Sequence, residues 1–237
     1  MPAVREVDKL SDSPGRRFFG RRKGHRLRAH QAALIDALLP RLALDLREKA
    51  PEPLTALFPL RATEVRLEIG FGGGEHLIAE AGRSPHTGFL GCEPFVNGMA
   101  KALAAIETQK LNNVRVHLGD AMPVLSWLPS ASLAGIDLIY PDPWPKRRHW
   151  KRRFIQDDTI AAMARVLRPG GLFRFASDSA DYAAWTLLRF LAARDFVWTA
   201  ERADDWRRPW PEFVETRYHR KAARESRAAT YLVSRRN

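Results

Sequence analysis

From Val65 onward the chain alternates short β-rich runs with segments of helical length, and this alternation constrains its fold more than any other feature. The runs are 65–69, 87–92, 114–118, 136–140 and 171–176. Ile160, Met163, Val166 and Leu167 have helical spacing before the fifth run, as do Ala180, Ala184, Leu187, Leu188 and Leu191 after it. Such alternation implies right-handed crossovers and a mainly parallel sheet covered by helices on both faces. Two later runs, 196–199 and 229–234, have no clear helical pattern between them and are expected to pair antiparallel at one edge, giving a seven-stranded α/β sheet. Residues 31–237 read as one domain, opening with a helix over 31–47 whose apolar stripe is Ile35, Leu38, Leu39, Leu42 and Leu46. Pro51, Pro53 and Pro59 make the following stretch a connector.

Residues 1–30 read as a basic, flexible arm. They carry nine Lys/Arg alongside Glu6, Asp8 and Asp12, and lack the apolar core of a secretory signal. Over the 237 residues, 39 Lys+Arg oppose 27 Asp+Glu, a net charge of +12, which answers to a polyanion, nucleic acid first, or else serves solubility alone. Lone Cys92 excludes an internal disulfide, and no apolar run approaches the roughly 18 residues that span a bilayer. A cytoplasmic protein with no membrane partner is expected.

An acidic residue stands at or just past the end of each main strand: Glu68, Glu93, Asp120, Asp142 and Asp178. That edge of an open parallel sheet is where ligands bind. After Glu68, Gly70, Gly72 and Gly74 allow a tight turn and close approach to a ligand, but Glu75 occupies the third glycine position of a dinucleotide fingerprint. A pyrophosphate beside Glu68 is unfavourable. S-adenosylmethionine suits the acidic rim, because it presents a sulfonium, an ammonium, ribose hydroxyls and an amine. Glu93 is placed for the ribose and Asp120 for the adenine, although Asp120 alone is equally explained as a helix cap. A divalent-metal cluster is the other functional reading of these acids, and the glycine loop argues against it.

The fourth strand runs into Pro141-Asp142-Pro143-Trp144-Pro145-Lys146 and then Arg147, Arg148, His149, Trp150, Lys151, Arg152 and Arg153. Prolines fix the backbone about Asp142, while cations and tryptophans can hold phosphates and stack on a base. With the glycine loop, Gly91-Cys92-Glu93-Pro94, Arg168-Pro169-Gly170-Gly171, Ser177-Asp178 and Glu215-Thr216-Arg217-Tyr218, this block resembles the bacterial tRNA (guanine-N7)-methyltransferases over about 68–231. The resemblance implies a Rossmann-like class I methyltransferase fold and transfer of a methyl group from S-adenosylmethionine to guanine 46 in the variable loop of tRNA, without a partner subunit. It further implies that Glu68, Glu93, Asp120 and Asp142 line the cofactor site with the glycines, that Asp142 is the catalytic carboxylate, and that Lys146, Asp178, Thr216, Arg217, Tyr218 and His219 contact the substrate. Arg148, His149, Trp150, Lys151, Arg152 and Arg153 are implied to hold RNA.

His219 stands where the family usually has Glu, which removes a carboxylate acceptor at that corner. Guanine N7 carries a lone pair and no proton, so its methylation needs alignment rather than a base or a thiol. Cys92 therefore reads as core packing, and the histidines show no metal-ligand spacing. The alternatives are an S-adenosylmethionine enzyme acting on ribosomal RNA or another base, and a noncatalytic RNA-binding protein with a cofactor fold. A nicotinamide oxidoreductase is disfavoured by the loop spacing and by the lack of a Tyr-x-x-x-Lys pair.

Overall fold

Residues 19–59 and 62–237 are described by the computed structural model; 1–18, most of the expected arm, lie outside the described residues. The strands are β1 (Glu64–Ile69), β2 (Thr87–Cys92), β3 (Val114–His117), β4 (Leu133–Ile139), β5 (Leu167–Ser177), β6 (Phe196–Trp198) and β7 (Thr230–Arg236), in the order β3-β2-β1-β4-β5-β7-β6. The chain divides into two compact units at Pro129/Ser130, where the sequence leads to one domain over 31–237.

In the first unit β1, β2 and β3 are parallel, with Leu67 opposite Leu90 and Leu90 opposite Arg115. Helices α1 (Ala29–Ala37), α2 (Leu39–Leu42), α3 (Glu75–Arg83), α4 (Val96–Gln109) and α5 (Ala121–Trp127) accompany them. Alternate positions of the strands and the inner stripes of α1, α3 and α4 close one core through Leu34, Leu77, Phe89, Met99, Leu103 and Val116. Buried Asn113 fastens the turn into β2, its side-chain nitrogen lying 3.0, 3.2 and 3.0 Å from the carbonyl oxygens of Ala81, Ser84 and Thr87.

The expected helix over 31–47 is shorter and interrupted. Pro40 has no N–H to continue a helical ladder, so a new turn begins with it in the first positions of α2. After Leu42 the backbone extends, Ala43 bridges Val116 in parallel, and Leu44 donates its N–H to the Val116 carbonyl at 2.9 Å. These residues cover the outer edge of β3 instead of prolonging the helix. The expected arm also ends early among the described residues. Val96 N–H donates to the Arg22 carbonyl at 3.0 Å, Gly24 N–H to Asn97 Oδ1 at 2.8 Å, and Asn97 Nδ2 to the His25 carbonyl at 2.7 Å.

In the second unit β4 and β5 are parallel, while β7 runs antiparallel to both β5 and β6. The expected antiparallel edge is present. Helices α6 (Asp157–Val166), α7 (Ala180–Ala192), α8 (Asp204–Arg207) and α9 (Arg217–Arg224) belong to this unit. Phe173 of β5 stacks on Phe190 of α7 with ring centroids 4.4 Å apart, and Phe175 meets Tyr182 edge-on at 5.4 Å. Register places Asp137 beside Arg174, with Arg174 Nη2 donating to Asp137 Oδ2 at 3.0 Å and the guanidinium 5.0 Å from the Trp210 ring.

Because Asp137 is buried, replacing it with Ala leaves the Arg174 guanidinium without its carboxylate, at an expected cost of about 3–5 kcal/mol. Urea unfolding measures it; a change below about 1 kcal/mol would show that water restores the lost bonds.

Candidate active site

On the first unit, the residues after β1 turn through three glycines with positive φ: Gly70 at 71°, Gly72 at 59° and Gly74 at 84°. A side chain is strained in this backbone region, and a Cβ at Gly74 would also meet the Ala102 Cβ at 2.9 Å. Glu93, just past β2, ties the loop down. Its Oε2 accepts from Gly72 N–H at 2.6 Å and its Oε1 from Phe95 N–H at 2.8 Å. Both carboxylate oxygens thus accept backbone N–H groups.

Glu68 is 4% exposed and pairs through Oε2 with His76 Nδ1 at 2.8 Å. His76, in the first turn of α3, went unnoticed in the sequence because a lone histidine on a helix carries no pattern. Asp120 is the N-cap of α5, accepting Met122 N–H at 2.8 Å through Oδ1, so the capping role is realised. Cys92 is buried; desolvation, then the charges of Asp120 and Glu93, raise its thiol pKa well above the usual range. At neutral pH it is a protonated packing group.

On the second unit, β4 ends at a turn in which Tyr140 and Trp144 both take positive φ, 50° and 43°. Asp142 lies between them and reaches solvent, but the protein around it strips enough hydration to raise its carboxyl pKa above the usual value. Tyr140 N–H donates to the Ala176 carbonyl at 2.8 Å, and its hydroxyl lies 2.8 Å from His219 Nδ1. The Tyr231 hydroxyl stands 3.2 Å from the same nitrogen, and Glu215 Oε1 lies 3.8 Å from His219 Nε2. His219 thus fastens the start of α9 to the residue two before Asp142. Neither tyrosine carried a signal in the sequence, because their partner is 79 residues from one and 12 from the other.

Of the other implied substrate residues, Thr216, Asp178, Arg217 and Tyr218 are engaged within the protein. Thr216 is buried and caps α9, accepting His219 N–H at 3.2 Å. Asp178 receives Arg227 Nε at 2.8 Å and Nη2 at 2.6 Å. Arg217 lies over the Tyr218 ring at 4.6 Å and donates to its hydroxyl at 2.8 Å, while Tyr218 is 44% exposed.

The basic run forms a 3₁₀ helix, Arg147–Arg152. Lys146, Arg148 and Lys151 are exposed, and Arg152 covers the Trp144 ring at 4.9 Å. Reduced hydration and the neighbouring cations Arg152, Arg148, Lys146 and Lys151 lower the His149 pKa, keeping it neutral at physiological pH. Two expectations for this run need correction. Arg153 is 0% exposed and donates Nε–H to the Pro143 carbonyl at 3.0 Å, so it presents nothing to a phosphate. Trp150 packs edge-on against Trp185 at 5.3 Å, with the Arg153 guanidinium 5.0 Å from its ring, so it is committed within the protein rather than to RNA. Among the described residues no group of three His, Cys, Asp or Glu side chains has metal-holding geometry, and no helix is long and apolar enough to cross a membrane.

A mainly parallel seven-stranded sheet with an antiparallel end and acids past its strands defines a class I S-adenosylmethionine-dependent methyltransferase. Solved structures of this fold include the 16S rRNA methyltransferase KamB, at 16% identity and TM-score 0.55, covering 80% of this chain and 96% of that one. Another is a Streptococcus mutans methyltransferase in complex with SAH, at 11% identity and TM-score 0.50, covering 75% and 91%. Residues 62–232 match the family model described as "Putative methyltransferase". A tRNA (guanine-N(7)-)-methyltransferase of Rhodopseudomonas palustris is 61% identical over all of this chain and 94% of its own length; one of Bradyrhizobium diazoefficiens is 62% identical over 98% and 99%. The chain belongs to the tRNA (guanine-N(7)-)-methyltransferase family.

Gly98 of α4 provides a sharp test of the donor rim, because a Cβ there would lie 2.2 Å from the Gly72 carbonyl oxygen, a backbone atom of the loop. Gly98→Ala is expected to displace the loop and weaken S-adenosylmethionine binding by about tenfold or more while the chain stays folded, as read by calorimetry and circular dichroism. Unchanged affinity would mean that the cofactor does not use this loop.

Proposed function

We propose that the chain methylates N7 of guanine 46 in the variable loop of tRNA, with Asp142 as the residue that orients the base and with S-adenosylmethionine held by the glycine loop, Glu68, Glu93 and Asp120. The observation that carries this reading is the coupling of Asp142, at the head of a proline-fixed turn, to the exposed cations Lys146, Arg148 and Lys151 that immediately follow it. A carboxylate accepts from the Watson–Crick edge of guanine, and cations a few residues away hold the phosphates beside that nucleotide.

The chemistry asks little of the protein beyond placement. The N7 lone pair displaces the sulfonium in line, a C–N bond forms as the C–S bond breaks, and the positive charge passes from sulfur to the purine. Ionised Asp142, accepting from the N1–H and exocyclic amine, stabilises the base as it gains that charge. The resemblance assigns Asp178, paired with Arg227, and half-exposed Tyr218, with Arg217 over its ring, to contact with the base. Cys92 takes no part. The finer reading, an enzyme acting in the cytoplasm without a partner subunit, rests on the resemblance of its motifs.

The decisive experiment supplies labelled S-adenosylmethionine and unmodified tRNA transcripts, then cleaves the product chemically at N7-methylguanosine. One cleavage in the variable loop is expected, with turnover at saturating S-adenosylmethionine reduced about a hundredfold or more by Asp142→Ala. Label at another nucleotide, or in ribosomal RNA only, would sink the tRNA assignment; near-normal turnover of Asp142→Ala would sink the role of that residue. Because the Asp142 pKa is raised and the ionised form does the work, activity is retained above that pKa and lost as pH falls through it. The acid limb of kcat/KM should therefore sit above the ordinary Asp value of about 3.9.

Exposed Arg148 is expected to act through charge alone. Arg148→Ala should weaken tRNA binding and lower the slope of log affinity against log salt by about 1, with S-adenosylmethionine affinity unaffected. An unaltered slope would remove Arg148 from the RNA surface.

A further inference from the structure

The last cation of the basic run is enclosed on every side. The Arg153 guanidinium lies 5.0 Å from the Trp150 ring, 4.9 Å from Tyr182 and 5.1 Å from Trp185, and one of its Nη atoms pairs with the Asp181 carboxylate. Its Nε–H donates to the carbonyl of Pro143, the residue after Asp142. The walls of this cage are themselves pinned. Trp185 Nε1–H donates to the Ile155 carbonyl at 2.8 Å, the Tyr182 hydroxyl accepts Ile155 N–H at 3.2 Å, and Gln156 Nε2 donates to the Trp150 carbonyl at 2.9 Å. Arg153 thus connects the Asp142 turn to the first half of α7.

We propose that Arg153 is a positioning residue, a lock that holds the Pro141–Trp144 backbone so that the Asp142 carboxylate keeps one orientation. Pro141, Pro143 and Pro145 have no N–H, so three donors that would normally anchor such a loop are absent, and the loop must be held through its carbonyls. Arg153 supplies a donor to one of them from a fixed, planar group whose faces are occupied by aromatic rings and whose charge is balanced by Asp181. Burying a guanidinium is costly unless it is paired and hydrogen-bonded; here Asp181 pairs Nη2 and the Pro143 carbonyl takes Nε–H, while Nη1 is buried with no hydrogen-bond partner. A phosphate contact needs none of this enclosure.

The proposal rests on the reading that Asp142 meets the base, and the measurements separate the two. Arg153→Lys keeps the positive charge but removes the Nε–H fork. It is expected to accelerate amide hydrogen exchange at Asp142 and Trp144, to lower kcat on tRNA by about tenfold, and to leave the S-adenosylmethionine KM and the salt slope of tRNA binding within error of the wild type. Asp181→Asn, at a half-exposed position, should shift exchange in the same direction by less, and it carries the exchange measurement if Arg153→Lys does not fold. Unchanged exchange at Asp142 and Trp144 in the folded variant overturns the lock. A salt slope lowered by about 1 in Arg153→Gln, which removes the charge, overturns it too, by making Arg153 a phosphate ligand. Faster exchange with undiminished kcat keeps the lock and removes Asp142 from catalysis instead.

Discussion

The Glu93 carboxylate is the fastening on which the donor-side rim depends. It spans two backbone N–H groups, that of Gly72 in the loop after β1 and that of Phe95 at the entry to α4. Charge-assisted bonds of this kind contribute roughly 1.5–3 kcal/mol each. They are required because the loop runs through left-handed glycines that favour no single conformation by themselves. The packing is built around the same contact: Gly98 leaves room for the Gly72 carbonyl, and Ala102 is small enough to face Gly74. The residue that the sequence reads as a ligand acceptor is thus the one that shapes the glycine loop, and on the reading proposed above recognition and local folding are carried by the same carboxylate.

The second unit reaches rigidity by other means. Its turn has no glycine, and Tyr140 and Trp144 occupy left-handed backbone at a cost of roughly 1–3 kcal/mol each. Side chains offset the strain. The Tyr140 hydroxyl engages His219, Tyr231 closes on the same ring nitrogen, and Arg152 covers Trp144. In place of the carboxylate that the family pattern leads one to expect, His219 offers a nitrogen to two tyrosine hydroxyls, a bridging role between α9 and the end of β4. This gives the departure a structural purpose.

What could be read in the sequence is what depends on short spacings. Strand ends, the glycine loop and the acids that follow the strands are local, and they stand where the pattern puts them. The N-terminal helix is shorter than its apolar spacing, which continues through Leu46, because Pro40 and an edge of β3 in need of cover decide where the backbone turns. Asn97 and Tyr231 were invisible for a different reason. Each is defined by a partner far along the chain, and an isolated polar or aromatic residue reads the same whether it is anchoring a loop or facing water.

The basic run shows why composition overstates a binding surface. Residues three apart eclipse in a 3₁₀ helix, so Arg147, Trp150 and Arg153 fall along one ridge while Arg148 and Lys151 fall along another. The first ridge turns toward the aromatic residues of α7, and burial increases along it from exposed Arg147 through half-buried Trp150 to enclosed Arg153. The second remains in solvent. Six cations in eight residues look uniform when counted, yet Arg148 and Lys151 stand in solvent while Arg153 is enclosed beside the Asp142 turn. On the reading proposed above, the grip on RNA phosphates and the aim of the carboxylate are set by the same stretch of backbone directly after Asp142.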